Sequence, residues 1–301
     1  EHTQVFGQCY LLNRKPASYY QPLIDHLNNI QGTNGWFSQN YGGMVTNNAD
    51  GNAIQADGKK RPWQRHNMEK LDAILSAIST EVSDPVERSV LLTATMIALD
   101  KVDNTMGHQV AYLKQWSKRS YDTLQLQVPA LITDTLDHSV HQESIQQWST
   151  PVDLAYIDPP YGTNNPVTRT TRVRYRSYYH LWRTICINDQ PSLHGAALRR
   201  FDSSSDRIPG AISAFESTKS EVVFTAFKEL FESLPARWIM VSYSSKSKLP
   251  AESLRELIRP YRLICFERFA HKEHAMKHSI TSGAWKGDRS KNEEFLILFE
   301  K

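Results

Sequence analysis

The sequence is short of several things, and each shortage closes a class of function. Cysteine occurs only as Cys9, Cys186 and Cys265 in 301 residues, odd in number and far apart. That excludes a disulfide framework and a zinc ribbon, and predicts buried, reduced thiols of the kind a cytoplasm keeps. No apolar run approaches the roughly 20 residues a membrane span needs, and no charged-then-apolar opening resembles a signal peptide. A soluble chain without a membrane partner is expected. An excess of one charge is also missing: 35 Lys and Arg against 32 Asp and Glu leave a net +3, weak support by itself for a polyanionic partner. His271, His274 and His278 have the spacing of a helical metal set, but no nearby Cys or paired acid completes it, so no metal is expected.

What is present is an ordinary globular composition, 40% hydrophobic and 22% charged, long enough for one α/β domain with an insertion or two modest domains sharing a core. Residues 5–30 carry apolar side chains at helical spacing, with Pro22 suited to the first turn of a second helix. Residues 32–60 are rich in Gly, Asn, Ser and Asp and read as a long loop, whose Trp36, Phe37 and Tyr41 should pack onto something. Residues 67–78 and 85–99 predict helices, and a basic helix is expected around residues 112–119. Later the pattern changes to short apolar runs at 154–157, 238–241, 263–266 and 295–299, with helices over 221–234 and 251–258 between them. Strand and helix in alternation predict a parallel open sheet.

Directly after the first of these strands, which reads as buried, comes Asp158-Pro159-Pro160-Tyr161. Open parallel sheets bind ligands at the carboxyl ends of their strands, so a catalytic loop belongs here. An aromatic exocyclic amine is a poor nucleophile because its lone pair is delocalised into the ring. Acceptors aimed at its hydrogens favour a pyramidal nitrogen and free that lone pair. The Asp158 carboxylate and the Pro159 carbonyl can supply two. The two prolines stiffen the loop, and Tyr161 offers a face on which an extruded base can stack. The plain alternative is a tight turn after a strand.

In these residues the chain resembles the N6-adenine DNA methyltransferases with an Asp-Pro-Pro-Tyr motif, in the restriction-modification branch. YYHLWRTI at 178–185, Gln190-Pro191 with Gly195 and Arg199-Arg200, VSYSSK at 241–246, and ALDKVDNTMGHQVAYLKQW at 98–116 are similar to segments of that branch, in order. The resemblance implies a Rossmann-like methyltransferase sheet with a largely helical insertion, S-adenosylmethionine (AdoMet) as cofactor, double-stranded DNA as partner, and a reversed hairpin made by the last two strands. It implies a helical start of the core over residues 1–30, an insertion over 31–135 that would hold target recognition, and a catalytic core over 136–301.

The family's aromatic and Gly-x-Gly motif for AdoMet has no good counterpart: neither Phe6-Gly7-Gln8-Cys9 nor Tyr41-Gly42-Gly43-Met44 follows a convincing strand. By resemblance Glu1 falls near the acid that binds the AdoMet ribose, and Glu143, after His141, near a segment touching its adenine. A shortened chain, a split enzyme whose second subunit supplies the glycine loop, and an inactive site all stay open.

Arg169, Arg172, Arg174, Arg176, Arg183, Arg199, Arg200 and Arg207 face only Asp189, Asp202 and Asp206 in the stretch after the motif, interleaved with Tyr175, Tyr178, Tyr179, His180 and Trp182. Arginine suits bidentate contact with phosphates and guanine edges, so a DNA-contacting segment is expected. The alternative makes Tyr178, Leu181 and Trp182 a core helix face. Lys114, with Lys118 and Arg119, is a second basic set, as readily a solvated face. Asn104 and Gly107 read as a helix end, and Tyr243 and Ser244 as pocket lining or packing. N4-cytosine methylation, for which Ser in place of Asp158 is more usual, a non-catalytic DNA-binding subunit, and an RNA or protein amine methyltransferase, for which Asn there is commoner, are the rival functions.

Overall fold

The computed structural model describes residues 1–45, 51–105, 107–161, 174–203, 213–245, 247–271 and 292–301. They form two compact units, Glu1–Gln142 with Arg176–Ser204, and Glu143–Tyr175 with Ser205–Lys301, each with its own apolar core. In chain order the elements are α1 (His2–Gly7), α2 (Ala17–Asn29), α3 (Trp36–Tyr41), β1 (Gly42–Gly43), β2 (Trp63–Gln64), α4 (Arg65–Glu81) and α5 (Pro85–Lys101). Then follow β3 (Val152–Ile157), α6 (Tyr175–Tyr178), α7 (His180–Ile187), β4 (Leu193–His194), β5 (Arg199–Arg200) and α8 (Ser220–Ser233). The chain closes with β6 (Ala236–Ser244), α9 (Ala251–Ile258), β7 (Arg262–His271) and β8 (Asn292–Glu300). Among the described residues no helix is long and apolar enough to cross a membrane.

The first unit is helical because its apolar residues recur at the helix period and bury one face. Met68, Leu71, Ile74, Leu75 and Ile78 of α4, with Val90, Leu91, Ala94, Ala98 and Leu99 of α5, sit in its core. Asp84 starts α5 by accepting from the Val86 and Glu87 amides at 2.9 and 2.8 Å, with Pro85 in the first turn, a start written in the sequence.

Three expectations for this unit are corrected. Pro22 is the sixth residue of α2, not in its first turn: the helix begins at Ala17, where Tyr20 is buried and donates to Asn13 Oδ1 at 2.7 Å. Pro22 and Ser18 are both exposed, so water can serve the carbonyl that the missing amide leaves unpaired. Residues 36–41 form α3 rather than loop, because Asp72 of α4 accepts from the Phe37 and Ser38 amides at 2.9 and 2.8 Å, a cap delivered from another helix. Gly35 is needed there, since a Cβ would come within 2.6 Å of Asp72 Cγ. The basic helix around residues 112–119 does not form. Its amides are taken by non-local acceptors, Leu113 by the Asn104 carbonyl at 3.0 Å, Trp116 by Gly51 at 2.7 Å and Ser117 by Asn104 Oδ1 at 2.7 Å.

The β4–β5 hairpin is held to the same core from inside. Buried Tyr41 and Tyr112 donate to the carbonyls of Leu198 and Ala197 at 2.8 and 2.7 Å, where Leu198 takes a left-handed φ of 50° that a branched residue adopts only when its surroundings enforce it.

The second unit is a four-stranded sheet in the order β3-β6-β8-β7. β3 and β6 are parallel, and β8 runs antiparallel to both β6 and β7, so the expected reversed hairpin of the last two strands is present in a mixed α/β unit. Alternate residues Ile239, Val241 and Tyr243 of β6, with Phe295, Ile297 and Phe299 of β8, share a core with Phe227, Leu230 and Phe231 of α8 and Leu254, Leu257 and Ile258 of α9. The reading of β3 as a buried strand is corrected: Ile157 is buried, but Leu154 and Tyr156 are 48% and 60% exposed. They point to the opposite side of the sheet from Ile157.

Candidate active site

The parallel pairing of β3 with β6 sets Ile157 beside Val241, so both strands deliver their carboxyl ends to one edge of the second unit. Asp158, Pro159, Pro160 and Tyr161 follow the end of β3 directly. The prolines fix φ and remove two donors. Pro159 is buried and Asp158 exposed, so the turn is anchored while its carboxylate faces outward. Tyr161 folds back on that carboxylate: its hydroxyl donates to Asp158 Oδ1 at 2.7 Å and lies 3.3 Å from Ser242 Oγ. Burial, and with it the bond to Asp158, pushes the Tyr161 phenol above its ordinary pKa, so it remains a donor at neutral pH.

Tyr243 supports this arrangement from beneath. It is fully buried, meets the Tyr161 ring edge-on with centroids 5.2 Å apart, and leans on Phe227 at 5.3 Å and 90°. Edge-to-face rings of this kind fix orientation as well as burying area. A cavity of about 400 Å³ opens beside Asp158, walled by Ile145, Pro159, Phe215 and Leu230, with Ser144, Gln146 and Ser213 as polar groups. Apolar walls with a few convergent polar groups suit a small, partly apolar ligand.

The family model for D12 class N6 adenine-specific DNA methyltransferases matches residues 8–244. The chain belongs to this family. It is 27% identical over 225 residues to Modification methylase LlaI of Lactococcus lactis subsp. lactis, covering 73% of this chain and 33% of that protein. It is 27% identical over 221 residues to Type II methyltransferase M.FokI of Planomicrobium okeanokoites, covering 72% and 30%. With Type II methyltransferase M.NlaIII of Neisseria lactamica it shares 25% identity across 100% of this chain and 82% of that protein. The chain thus spans about a third of the length of the LlaI and FokI relatives. No solved structure matches it.

Within this family member the structure brings together Asp158, Pro159, Pro160, Tyr161 and Tyr243, all in the second unit. Glu143 is exposed one residue before the cavity wall. Glu1 belongs to the first unit, where its carboxylate accepts from Arg183 Nε at 3.1 Å. The glycines of the two weak motifs are accounted for by close packing: a Cβ on Gly7 would meet Val140 at 3.0 Å, on Gly42 the Ser38 carbonyl at 2.5 Å, and on Gly43 Trp116 at 2.6 Å.

The arginines divide. Arg169, Arg172 and Arg207 lie outside the described residues, as do His274 and His278 and the side chain of His271. Arg174 and Arg176 are partly exposed, on either side of the point where the chain passes between units, and Arg199 is partly exposed on β5. Arg200 is 2% exposed. Its guanidinium grips Asp189 at 2.5 and 2.7 Å and Asp202 at 2.9 Å. Burial opposes its charge, but these carboxylates hold its pKa above the ordinary arginine value. Tyr178 is partly buried and packs edge-on against His108 at 5.2 Å. Lys114 is exposed, outside any helix.

Asn104 is fully buried, its Oδ1 accepting from the Ser117 amide and its backbone N–H donating to the Pro62 carbonyl at 2.6 Å, a structural role. Ser213 and Phe215 escaped the sequence reading. Ser242 stood in the VSYSSK segment quoted for its resemblance, one step beyond Val241 of β6, but its approach to Tyr161 shows only in the structure.

Proposed function

We propose that this chain is the catalytic part of a site-specific DNA adenine-N6 methyltransferase of a restriction-modification system, built on a Rossmann-like sheet. The observation that carries the reading is the Asp158-Pro159-Pro160-Tyr161 turn at the joint carboxyl ends of β3 and β6, with the cavity of about 400 Å³ beside it. Asp158 and the Pro159 carbonyl accept the two hydrogens of a flipped adenine amine and turn its lone pair outward. Tyr161 provides the stacking face, worth about 1–3 kcal/mol, and Tyr243 backs it. AdoMet, when bound, supplies the electrophilic methyl group. Ser144, Gln146 and Ser213, with Glu143 nearby, would hold its adenosyl part against Ile145 and Phe215.

Arg169, Arg172, Arg174, Arg176 and Arg199, with Tyr178 and Lys114, hold the DNA backbone. Arg200 serves them indirectly by bracing β5. The helical insertion over residues 31–135 recognises the target sequence. A second subunit supplying the family's glycine-rich loop would complete the AdoMet site. AdoMet binding measured by calorimetry with and without a candidate partner protein separates that arrangement from one in which the chain binds alone.

The deciding experiment is methyl transfer to mixed-sequence duplex DNA by wild type and Asp158→Ala. Transfer should fall by roughly 10²–10³-fold or more in the variant, with the fold preserved because Asp158 is exposed. Full turnover by Asp158→Ala would overturn the mechanism.

A further inference from the structure

We infer that Ser242 is a positioning residue for methyl transfer, acting on Asp158 through the hydroxyl of Tyr161. The inference rests on the proposed reading of Asp158 as the acceptor for the target amine. The geometry assigns the protons without ambiguity of role. A carboxylate is acceptor-only, and a phenol has a single proton. At 2.7 Å the Tyr161 proton goes to Asp158 Oδ1, so the phenol oxygen faces Ser242 Oγ at 3.3 Å as an acceptor. The chain of donation runs from Ser242 to Tyr161 to Asp158, each bond polarising the next.

Two consequences follow for the reacting groups. The carboxylate is held by Oδ1, which leaves Oδ2 to meet the substrate amine and selects one rotamer of an exposed side chain that would otherwise sample several. The Tyr161 ring is pinned at both ends, at its hydroxyl by Asp158 and Ser242 and along its body by the edge-on contact with Tyr243 at 5.2 Å. Acceptor and stacking face are therefore set relative to one another before DNA binds. Ser242 stands on β6, a central strand paired on both sides, which gives the arrangement a rigid base.

The test is a double-mutant cycle with a spectroscopic companion. Steady-state kcat and KM for DNA are measured for wild type, Ser242→Ala, Ser242→Thr, Tyr161→Phe and Ser242→Ala/Tyr161→Phe. Ser242→Ala should lower kcat about 3–10-fold with KM for DNA little changed, and Ser242→Thr should retain most of it. In the Tyr161→Phe background the serine substitution should add nothing. An equal effect of Ser242→Ala in both backgrounds, or none in either, overturns the inference.

Separately, the purified chain carrying 3-fluorotyrosine is observed by ¹⁹F resonance, the Tyr161 signal being the one lost in Tyr161→Phe. That signal should move in Ser242→Ala and in Asp158→Ala alike, and an unmoved signal in Ser242→Ala overturns the inference with no turnover required. Absent methyl transfer by wild type, or full transfer by Asp158→Ala, would defeat the proposed function instead, leaving the resonance to decide whether the hydroxyl chain exists.

Discussion

Asp158 and Arg200 are both charged residues to which sequence reading gives a role at the substrate, and the structure treats them oppositely. Asp158 is exposed, its neighbours arranged to orient it. Arg200 is enclosed and bound to two carboxylates, and the network continues from Asp202 to Arg183 at 2.7 Å and on to Glu1. Removing one partner of a buried pair leaves the others uncompensated, typically at a cost of about 3–5 kcal/mol. Asp189 and Asp202 keep 34% and 35% of their side-chain surface exposed, so solvent softens the loss. Arg200→Met should therefore destabilise the first unit by about 2–3 kcal/mol, read from urea unfolding. Arg199→Ala should leave that midpoint nearly unchanged and weaken DNA binding. An unaltered midpoint in Arg200→Met would show that the ion network is not structural.

At the scale of elements, caps decide what periodicity leaves open. The start of α5 was legible because Asp84 and Pro85 lie next to the helix they begin. α3 was not legible, because its capping carboxylate comes from Asp72, more than thirty residues downstream. A six-residue helix has almost no intrinsic stability in water, so α3 leans on that side chain together with Ser38, whose Oγ accepts from the Gly35 amide at 2.8 Å. Asp72→Ala should cost about 1–2 kcal/mol and expose the Trp36 environment, followed as a red shift of tryptophan emission. Gly35→Ala, disruptive in the wild type through contact with Asp72 Cγ, should be better tolerated in the Asp72→Ala background. The strands of the second unit were legible to within a few residues, since four separate apolar runs with polar flanks have little else to become. The failed helix around residues 112–119 shows the converse. Its propensity was outweighed by Asn104 and Gly51, whose acceptors drew the amides away.

Across the molecule, each unit has its own core, and the first carries two histidines that answer to pH. In the first unit His180 is fully buried with Nε2 against the Gln109 carbonyl at 2.9 Å, and burial lowers its pKa to about 3. His2, stacked on Tyr179 at 5.0 Å, is lowered to about 4, again by burial first. Both are lowered from an ordinary 6.5, so the unfolded chain binds more protons than the folded one between these values. The stability they contribute is complete above pH 6.5 and is lost as pH falls toward 4. Thermal melts of the chain from pH 7.5 to 4.5 should show the midpoint of the first unit falling, and His180→Gln should flatten that dependence. An equally steep fall in the variant would assign the effect to other groups.

The amino-acid sequence by itself determined the candidate motif and its address: the Asp-Pro-Pro-Tyr turn, the strand before it, and the alternation of strand and helix around it. These are local, carried by residues adjacent in the chain and by patterns with a period of two or 3.6. Only the tertiary structure decided that Arg200 is a buried brace while Arg199 beside it is partly exposed, that Ser242 faces Tyr161, that α3 is a helix, and that one side of β3 is exposed. Each of those depends on a partner distant in sequence, and the energies of capping, pairing and burial belong to the contact between the two rather than to either residue.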